Sequence, residues 1–181
     1  MYKWEANGAE IIHYTDFEIY PLDDKPAGEV LREGYDSLKM KTWVSAGTAL
    51  GLYRDKGFIK GDTDIDVEVE GYDGIDLDII DQIDFTLIRT AFYNGKPMQM
   101  AFQHKEVVFD IYIFWRDEDN LYNNSECGEM ILPSKFVDNQ EIINTKYGDY
   151  SIPAPTEEYL EYRYGDWKTP SSKKGLYGND F

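Results

Sequence analysis

Five acidic side chains recur at every second position in one short segment of the sequence. They are Asp62, Asp64, Asp66, Glu68 and Glu70, and apolar residues fill most of the gaps between them. Residues two apart on a strand point to the same side at a spacing of about 6.6–6.8 Å. Like charges this close disfavour folding unless water screens them or a cation lies between them. The pattern predicts either a metal site or a charged strand at a sheet edge, where it would resist aggregation.

A calcium-binding loop is a third interpretation, because DTDID begins like one. Such a loop needs a glycine at its sixth position and an acid at its twelfth. Here the sixth position is Val67 and the twelfth is Asp73. Since the glycine that makes the turn is missing, we set the calcium loop aside.

A lone aspartate later in the chain favours the metal site. Asp110 lies within VVFDIYIFW, where both alternating faces are apolar, as is typical of a central strand covered on both sides. A carboxylate there is costly unless it is paired or bound to metal. Arg89 or Arg116 could be its partner, or it could complete a cluster with Asp64 and Asp66. Three such oxygen donors suit Mg²⁺ or Mn²⁺, and two ions could serve a phosphoryl or nucleotidyl transfer.

A candidate phosphate site precedes the acidic segment. Gly47 permits close backbone approach, and Thr48 is a suitable N-cap for a helix in ALGLYRDKG, whose free N–H groups would favour phosphate. Ser45 and Thr48 add hydroxyl groups, and Arg54 and Lys56 could neutralise a leaving phosphate. The alternative is an ordinary capped turn followed by two cations at a solvated helix end, where they offset the helix dipole.

Several further elements are needed to position these residues. Periodicity predicts helices in 26–41, in 74–84, where a strand is the alternative, and in PTEEYLEYRYG. Strands are predicted in TWVSAG, DTDIDVEVE, FTLIRTAFY, PMQMAFQH, EVVFDIYIFW and GEMILP, with tight turns at NGKP and HKE. This order predicts an α+β fold, a sheet with helices packed on it.

Length and charge bound the possible functions. The chain has 181 residues and a formal net charge of −17. The length suits a single domain over 1–170, and the polar, Gly-rich stretch 171–181 is predicted to be a flexible tail. The acidic balance argues against binding to a nucleic-acid polymer, which requires a basic surface. A nucleotide ligand needs only local cations or a metal and stays compatible.

The single cysteine and the terminal sequence favour a cytoplasmic location. Cys127 has no second cysteine to pair with, which fits a reducing compartment. The segment MYKWEANGAEII lacks the apolar core of a signal peptide, and no segment approaches the ~20 apolar residues of a membrane span. The sequence gives no indication of the oligomeric state.

Two longer motifs resemble the LicD/fukutin family of the nucleotidyltransferase (polymerase-beta-like) fold. GTALGLYRDKGFIKGDTDIDV is similar to the family pattern GTxLGxxRxxGFIPWDDDIDI, and YLEYRYGDWKTP resembles its closing YL…YGDW…P segment. The resemblance runs from about Trp43 to Pro170. Lys60, Gly61 and Thr63 replace the family's Pro, Trp and middle acid, whereas Asp62, Asp64 and Asp66 are retained.

The resemblance implies a nucleotidyltransferase-like mixed or antiparallel sheet with helices packed on it. It also implies transfer of a phospho-alcohol, such as phosphocholine or phosphoribitol, from a CDP-linked donor to a glycan or small-molecule acceptor. Two functions stay open as alternatives: an NTP-dependent nucleotidyltransferase acting on a small molecule or protein, and a non-catalytic binding module.

The family's site residues carry over to matching positions of this chain. Metal binding and catalysis would fall to three aspartates, and donor phosphate would contact residues of the first motif. The metal ligands would be Asp64, Asp66 and Asp110, and the phosphate-binding residues Gly47, Thr48 and Arg54, to which the local pattern adds Ser45 and Lys56.

Overall fold

The computed structural model describes residues 1–170, so the predicted tail at 171–181 lies outside the described residues. The strands are β1 (Tyr2–Ala6), β2 (Ala9–His13), β3 (Thr42–Val44), β4 (Asp64–Glu70), β5 (Thr86–Tyr93), β6 (Lys96–His104), β7 (Val107–Asp117), β8 (Asn120–Ser125), β9 (Gly128–Pro133), β10 (Gln140–Thr145) and β11 (Gly148–Pro153). The helices are α1 (Asp24–Ser37), α2 (Ala46–Leu50), α3 (Ile75–Gln82), α4 (Lys135–Asp138) and α5 (Thr156–Tyr164), and a π-helical turn over Gly51–Asp55 continues α2.

Nine of these strands form one sheet. The order of the main path is β1-β2-β5-β6-β7-β4-β3, and β8 pairs with the end of β7 and carries β9. The hairpin β10-β11 forms a separate two-stranded sheet. Among the described strands only β4 and β7 pair in parallel. Both strands of this pair are interior to the sheet, with β3 as the edge strand beside β4, and they carry the three predicted metal ligands.

The predicted fold class was wrong. We expected a nucleotidyltransferase-like α+β sheet with helices packed on it, whereas the structure is mainly antiparallel sheet curved into a half-barrel. Strands β1, β2, β8 and β10 enlarge the β content beyond the prediction, and α2, α3 and α4 have only 5, 8 and 4 residues. Much of the sheet is therefore built from hairpins and is not covered by long helices.

The acidic segment forms an interior strand, so the edge-strand alternative was wrong as well. β4 lies between β3 and β7, and residues 65–69 are buried on both faces. On one face Ile65 and Phe109 are neighbours in register, and α1 packs there so closely that a Cβ on Gly34 would lie 2.8 Å from the Phe109 ring. The acids occupy the opposite face, where they need partners other than bulk water.

The predicted turns and the helix in 74–84 agree with the observed elements, whereas the predicted helix over 26–41 is shifted to Asp24–Ser37 and the strand in TWVSAG covers only Thr42–Val44. The turns at NGKP and HKE are tight hairpins whose central residues have positive φ, 51° and 74° in the first and 50° and 65° in the second. The ambiguous segment 74–84 contains the helix α3. None of the helices in residues 1–170 combines the length and the apolar character needed to cross a bilayer.

Candidate metal centre

The three predicted metal ligands meet in the middle of the sheet. Asp66 lies directly opposite Asp110 in the parallel β4–β7 register, and Asp64 precedes Asp66 by two residues on the same face. One carboxylate oxygen from each residue lies within 4.8 Å of the other two. Asp66 and Asp110 are buried and Asp64 is half-buried. These three carboxylates, called here the aspartate cluster, form a group that can hold a metal ion.

Burial raises the pKa of every member of the cluster, and repulsion between carboxylates adds to this at Asp64 and Asp66. Burial and then the charge of Asp110 raise the pKa of Asp64 to about 7. The pKa of Asp66 is raised well above its usual value by burial and then by Asp64. Burial also raises the pKa of Asp110, against the opposing effect of Arg89. Without a cation, the cluster therefore retains protons at a pH where isolated aspartates have lost theirs.

Two polar side chains hold Asp110 in place. Gln99 Nε2 on β6 donates a hydrogen bond of 2.9 Å to Asp110 Oδ1. Arg89 Nη2 on β5 lies 3.6 Å from the same oxygen, and Arg89 Nη1 forms an ion pair of 2.6 Å with Glu126. Of the two arginines considered from the sequence, Arg89 is thus the neighbour of Asp110, while Arg116 pairs elsewhere. Asp110 has both a cationic neighbour and two carboxylate neighbours.

The other acids of β4 are neutralised by the protein itself. Buried Glu68 accepts a hydrogen bond of 2.7 Å from the Trp43 indole and forms an ion pair of 2.8 Å with buried Arg163 of α5. Glu70, at the end of the strand, pairs with Arg116 at 2.5 Å. The four acids of β4 therefore divide into two residues of the aspartate cluster, Asp64 and Asp66, and two that already have cationic partners, Glu68 and Glu70.

Two hydrogen bonds join the start of α2 to the backbone of Asp66 in the aspartate cluster. The Thr48 hydroxyl accepts a hydrogen bond of 2.9 Å from the Asp66 N–H, and the Ser45 N–H donates one of 3.2 Å to the Asp66 carbonyl. The predicted N-cap was misplaced by three residues, since Ser45 precedes the helix and Thr48 lies within it. Thr48 links the helix to the strand, where we expected it to open the helix.

Gly47 faces the carboxylates without a side chain. A Cβ at this position would lie 2.7 Å from Asp62 Oδ2 and 3.7 Å from Asp66 Oδ2. The neighbouring Ser45 Oγ is buried and has no hydrogen-bond partner among the described residues. This side of the cluster thus offers an uncommitted hydroxyl and an approach that only glycine leaves open.

Arg54 and Lys56 lie at the far end of the same helical segment, about 10 Å from Gly47 along the axis. The Arg54 guanidinium donates two hydrogen bonds of 2.7 Å to Asp55 and one of 3.2 Å to the Trp167 carbonyl. Lys56 Nζ donates to the Tyr53 carbonyl at 2.8 Å. The structure therefore brings Ser45, Gly47 and Thr48 to the cluster and leaves the two cations further away, so their contact with phosphate stays a prediction.

The sequence reasoning missed two polar residues near Asp110. Gln99 lies between two methionines in a buried strand, which is the same signal of a polar residue in an apolar segment that identified Asp110. Glu126 lies in the turn between β8 and β9, and no sequence pattern connects this turn with Arg89 on β5. Gln99 could have been found by the reasoning applied to Asp110, whereas finding Glu126 required the order of the strands in the sheet.

The raised pKa values predict opposite pH trends for the metal-free and metal-bound protein. An aspartate whose pKa is raised on folding stabilises the fold below about pH 4 and loses that contribution as pH rises through about 7. A cation competes with those protons, so Mn²⁺ should raise the melting temperature little at about pH 5 and clearly more at about pH 8. Thermal unfolding with and without Mn²⁺ across this range measures the difference. An equal Mn²⁺ shift at both ends would contradict it.

The chain is similar to the ribitol-5-phosphate transferase FKTN of several mammals. Over 159 aligned residues it is 29% identical to the protein of Mus musculus, 28% to that of Macaca fascicularis and 27% to that of Homo sapiens. The alignments cover 81% of this chain and 34% of each relative, so the chain spans about a third of their length. No protein-family model matches the chain.

Proposed function

We propose that this protein transfers a phospho-alcohol from a CDP-activated donor to a hydroxyl group of a glycan or related acceptor, with Mg²⁺ or Mn²⁺ as cofactor. The observation that carries the proposal is the aspartate cluster, in which carboxylates of two paired strands lie within 4.8 Å of one another. The similarity to ribitol-5-phosphate transferases selects the reaction, and it favours phosphoribitol over phosphocholine as the transferred group.

The donor atoms of the cluster fit a small divalent cation. All three are carboxylate oxygens, which Mg²⁺ and Mn²⁺ prefer over nitrogen or sulfur. Burial and, at Asp64 and Asp66, repulsion between carboxylates raise the pKa values of the cluster, and a bound cation would offset this cost of ionisation. Asp64 is half-buried, which leaves one side for the waters that Mg²⁺ usually retains as ligands.

The residues around the cluster take separate roles in the proposed reaction. Ser45, Gly47 and Thr48 receive the donor phosphates on the α2 side, and Arg54 and Lys56 support the diphosphate. Gln99 fixes the orientation of Asp110 through its hydrogen bond of 2.9 Å. A bound divalent cation would polarise the phosphoryl group and offset the charge of the departing CMP.

A donor panel tests the proposal. The protein is incubated with CDP-ribitol, CDP-choline or the four NTPs in the presence of Mg²⁺ or Mn²⁺ and a set of glycan acceptors. Release of CMP and attachment of phosphoribitol to the acceptor are expected. Pyrophosphate release from an NTP would support the nucleotidyltransferase alternative. If no donor reacts and Asp64→Asn with Asp66→Asn leaves metal binding unchanged, the chain is a binding module and the proposal fails.

A further inference from the structure

A cavity of about 180 Å³ opens on one side of the aspartate cluster. Asp64 and Asp110 line it, but Asp66 does not. Asp66 instead lies beside the start of α2, where its Oδ2 would be 3.7 Å from a Cβ on Gly47. The cluster therefore lies between the start of α2 and this cavity.

The wall of the cavity combines one ion pair with apolar and aromatic side chains. Arg89 and Glu126 form the pair at 2.6 Å, and Phe17 is among the apolar residues of the wall. The Arg89 and Glu126 side chains are 16% and 23% exposed, so part of each is accessible. The cavity thus presents a guanidinium donor, carboxylate acceptors and an aromatic surface within one small space.

The charges of the cavity wall favour an uncharged ligand over an anionic or a cationic one. When a divalent cation occupies the cluster, it offsets two of the three carboxylate charges, and Arg89 and Glu126 balance each other. A phosphate entering the cavity would meet Glu126 and the remaining carboxylate charge, and a quaternary ammonium would meet Arg89, so each would face a like charge. An uncharged ligand avoids both conflicts, and its hydroxyl groups can use the donor and acceptors that an apolar ligand would leave unpaired.

The size of the cavity limits the ligand to one small unit. Its volume of about 180 Å³ is below the about 300 Å³ at the lower end of drug-sized sites. A nucleotide is too large for this space, whereas a single sugar ring or a short linear polyol fits such a volume.

We propose that this cavity binds one uncharged, hydroxyl-rich unit, a sugar ring or a linear polyol, as the reacting end of the acceptor. The assignment to the acceptor rests on the proposed transfer reaction, in which the attacking and leaving oxygens lie roughly in line through phosphorus. Since the donor phosphates are placed on the α2 side, the attacking hydroxyl approaches from the opposite side, which is the cavity. Arg89 and Glu126 then bind hydroxyl groups, and Phe17 packs on the carbon face.

Cys127 provides a readout that needs no catalysis. It lines the cavity and is the only cysteine of the sequence. Burial raises the pKa of its thiol, so alkylation by iodoacetamide is followed by mass spectrometry at about pH 9, where the thiolate forms. Ribitol and methyl galactoside, present at twice their dissociation constants, should slow alkylation about threefold. Inorganic phosphate and choline should give no protection.

Variants separate the cavity from general effects on the protein. Glu126→Gln and Phe17→Ala should each abolish most of the protection, because one removes a charge from the ion pair and the other the aromatic surface. Glu129→Gln is the matched control, since it makes the same change on an exposed residue of the neighbouring strand β9 and should retain full protection. Protection by phosphate or choline in place of the polyols would overturn the proposal, as would equal protection in all three variants.

A second measurement tests whether the ligand lies beside the cluster. Mn²⁺ bound there should broaden the proton signals of ribitol in the presence of the protein, Mg²⁺ should not, and Glu126→Gln should reduce the effect. If the ribitol signals are not broadened and alkylation of Cys127 is not slowed, the cavity is not the polyol site, even if CMP is released with a glycan acceptor. Conversely, polyol binding in this cavity without any transfer from a CDP donor would retain the cavity and remove the proposed function.

Discussion

Asp66→Asn is expected to make the metal-free protein more stable while it abolishes the response to metal. Burial and then the neighbouring carboxylates raise the pKa of Asp66, so the neutral amide removes the cost of ionising this side chain as the pH rises. A gain of about 1 kcal/mol, or about 2–4 °C in melting temperature, is typical of a substitution that relieves such a local conflict. The same variant should lose the Mn²⁺-induced shift and at least about 10³-fold in transfer rate, since a donor of the cluster is missing.

A gain in metal-free stability together with a lost response to Mn²⁺ distinguishes a metal site from a structural ion pair. Thermal unfolding at pH 8 with and without Mn²⁺ measures stability, and CMP release measures transfer. Glu70→Gln is the matched control, because it removes one negative charge from the same face of β4 at a residue that pairs with Arg116. It should retain the full Mn²⁺ shift. A metal-free Asp66→Asn protein that is clearly less stable than the parent would count against the cluster as a cation site.

The local patterns of the sequence were sufficient for the central elements. Apolar alternation identified β5, β6 and β7, and glycine at position 95 marked the hairpin between the first two. The lone Asp110 in an apolar strand identified a buried carboxylate that needed a partner. These features depend on a few neighbouring residues, so a single sequence contains the information.

Features that depend on distant pairings could not be predicted in this way. The acidic alternation of β4 is what a half-exposed strand would show, yet β4 is interior because β3, β7, α2 and α5 surround it. Strands β8 and β10 have the polar or acidic sequences NLYNNS and QEIINT. Their composition does not indicate strands, and they form strands because they pair with the next strand of their hairpins. The fold class was missed for the same reason. It depends on how many strands pair, and that number is set by contacts between residues far apart in the sequence.

The two motifs that resemble the LicD/fukutin family meet in the structure. Arg54 of the first motif donates to the carbonyl of Trp167 in the closing segment, and the Tyr53 and Trp167 rings are 5.6 Å apart. Arg163 of the closing segment reaches Glu68, two residues beyond Asp66. The closing segment thus contacts β4, the strand that carries Asp64 and Asp66, so the two motifs belong to one packed unit.

Arg163→Met is expected to destabilise the protein by about 3–5 kcal/mol, the usual cost of leaving one partner of a buried ion pair without its counter-ion. The Arg163 and Glu68 side chains are 5% and 1% exposed and are joined at 2.8 Å. The Trp43 hydrogen bond satisfies one oxygen of Glu68 but does not offset its charge. The positive charge of Arg163 also favours the ionised form of Asp66, opposing the larger effects that raise its pKa, so the variant should bind Mn²⁺ less tightly at neutral pH.

A double variant separates the effect of the unpaired Glu68 charge from the effect of the lost Arg163 packing. Glu68→Gln retains an oxygen that can accept the Trp43 indole hydrogen bond, so combining it with Arg163→Met should recover most of the lost stability. Arg116→Met provides the contrast, because its pair with Glu70 is part-exposed, with side chains 34% and 24% accessible, and should cost about 1 kcal/mol or less. Urea unfolding of the four variants measures these differences. If the double variant is no more stable than Arg163→Met, the cost comes from packing in α5, and the ion pair does not hold the acidic strand in place.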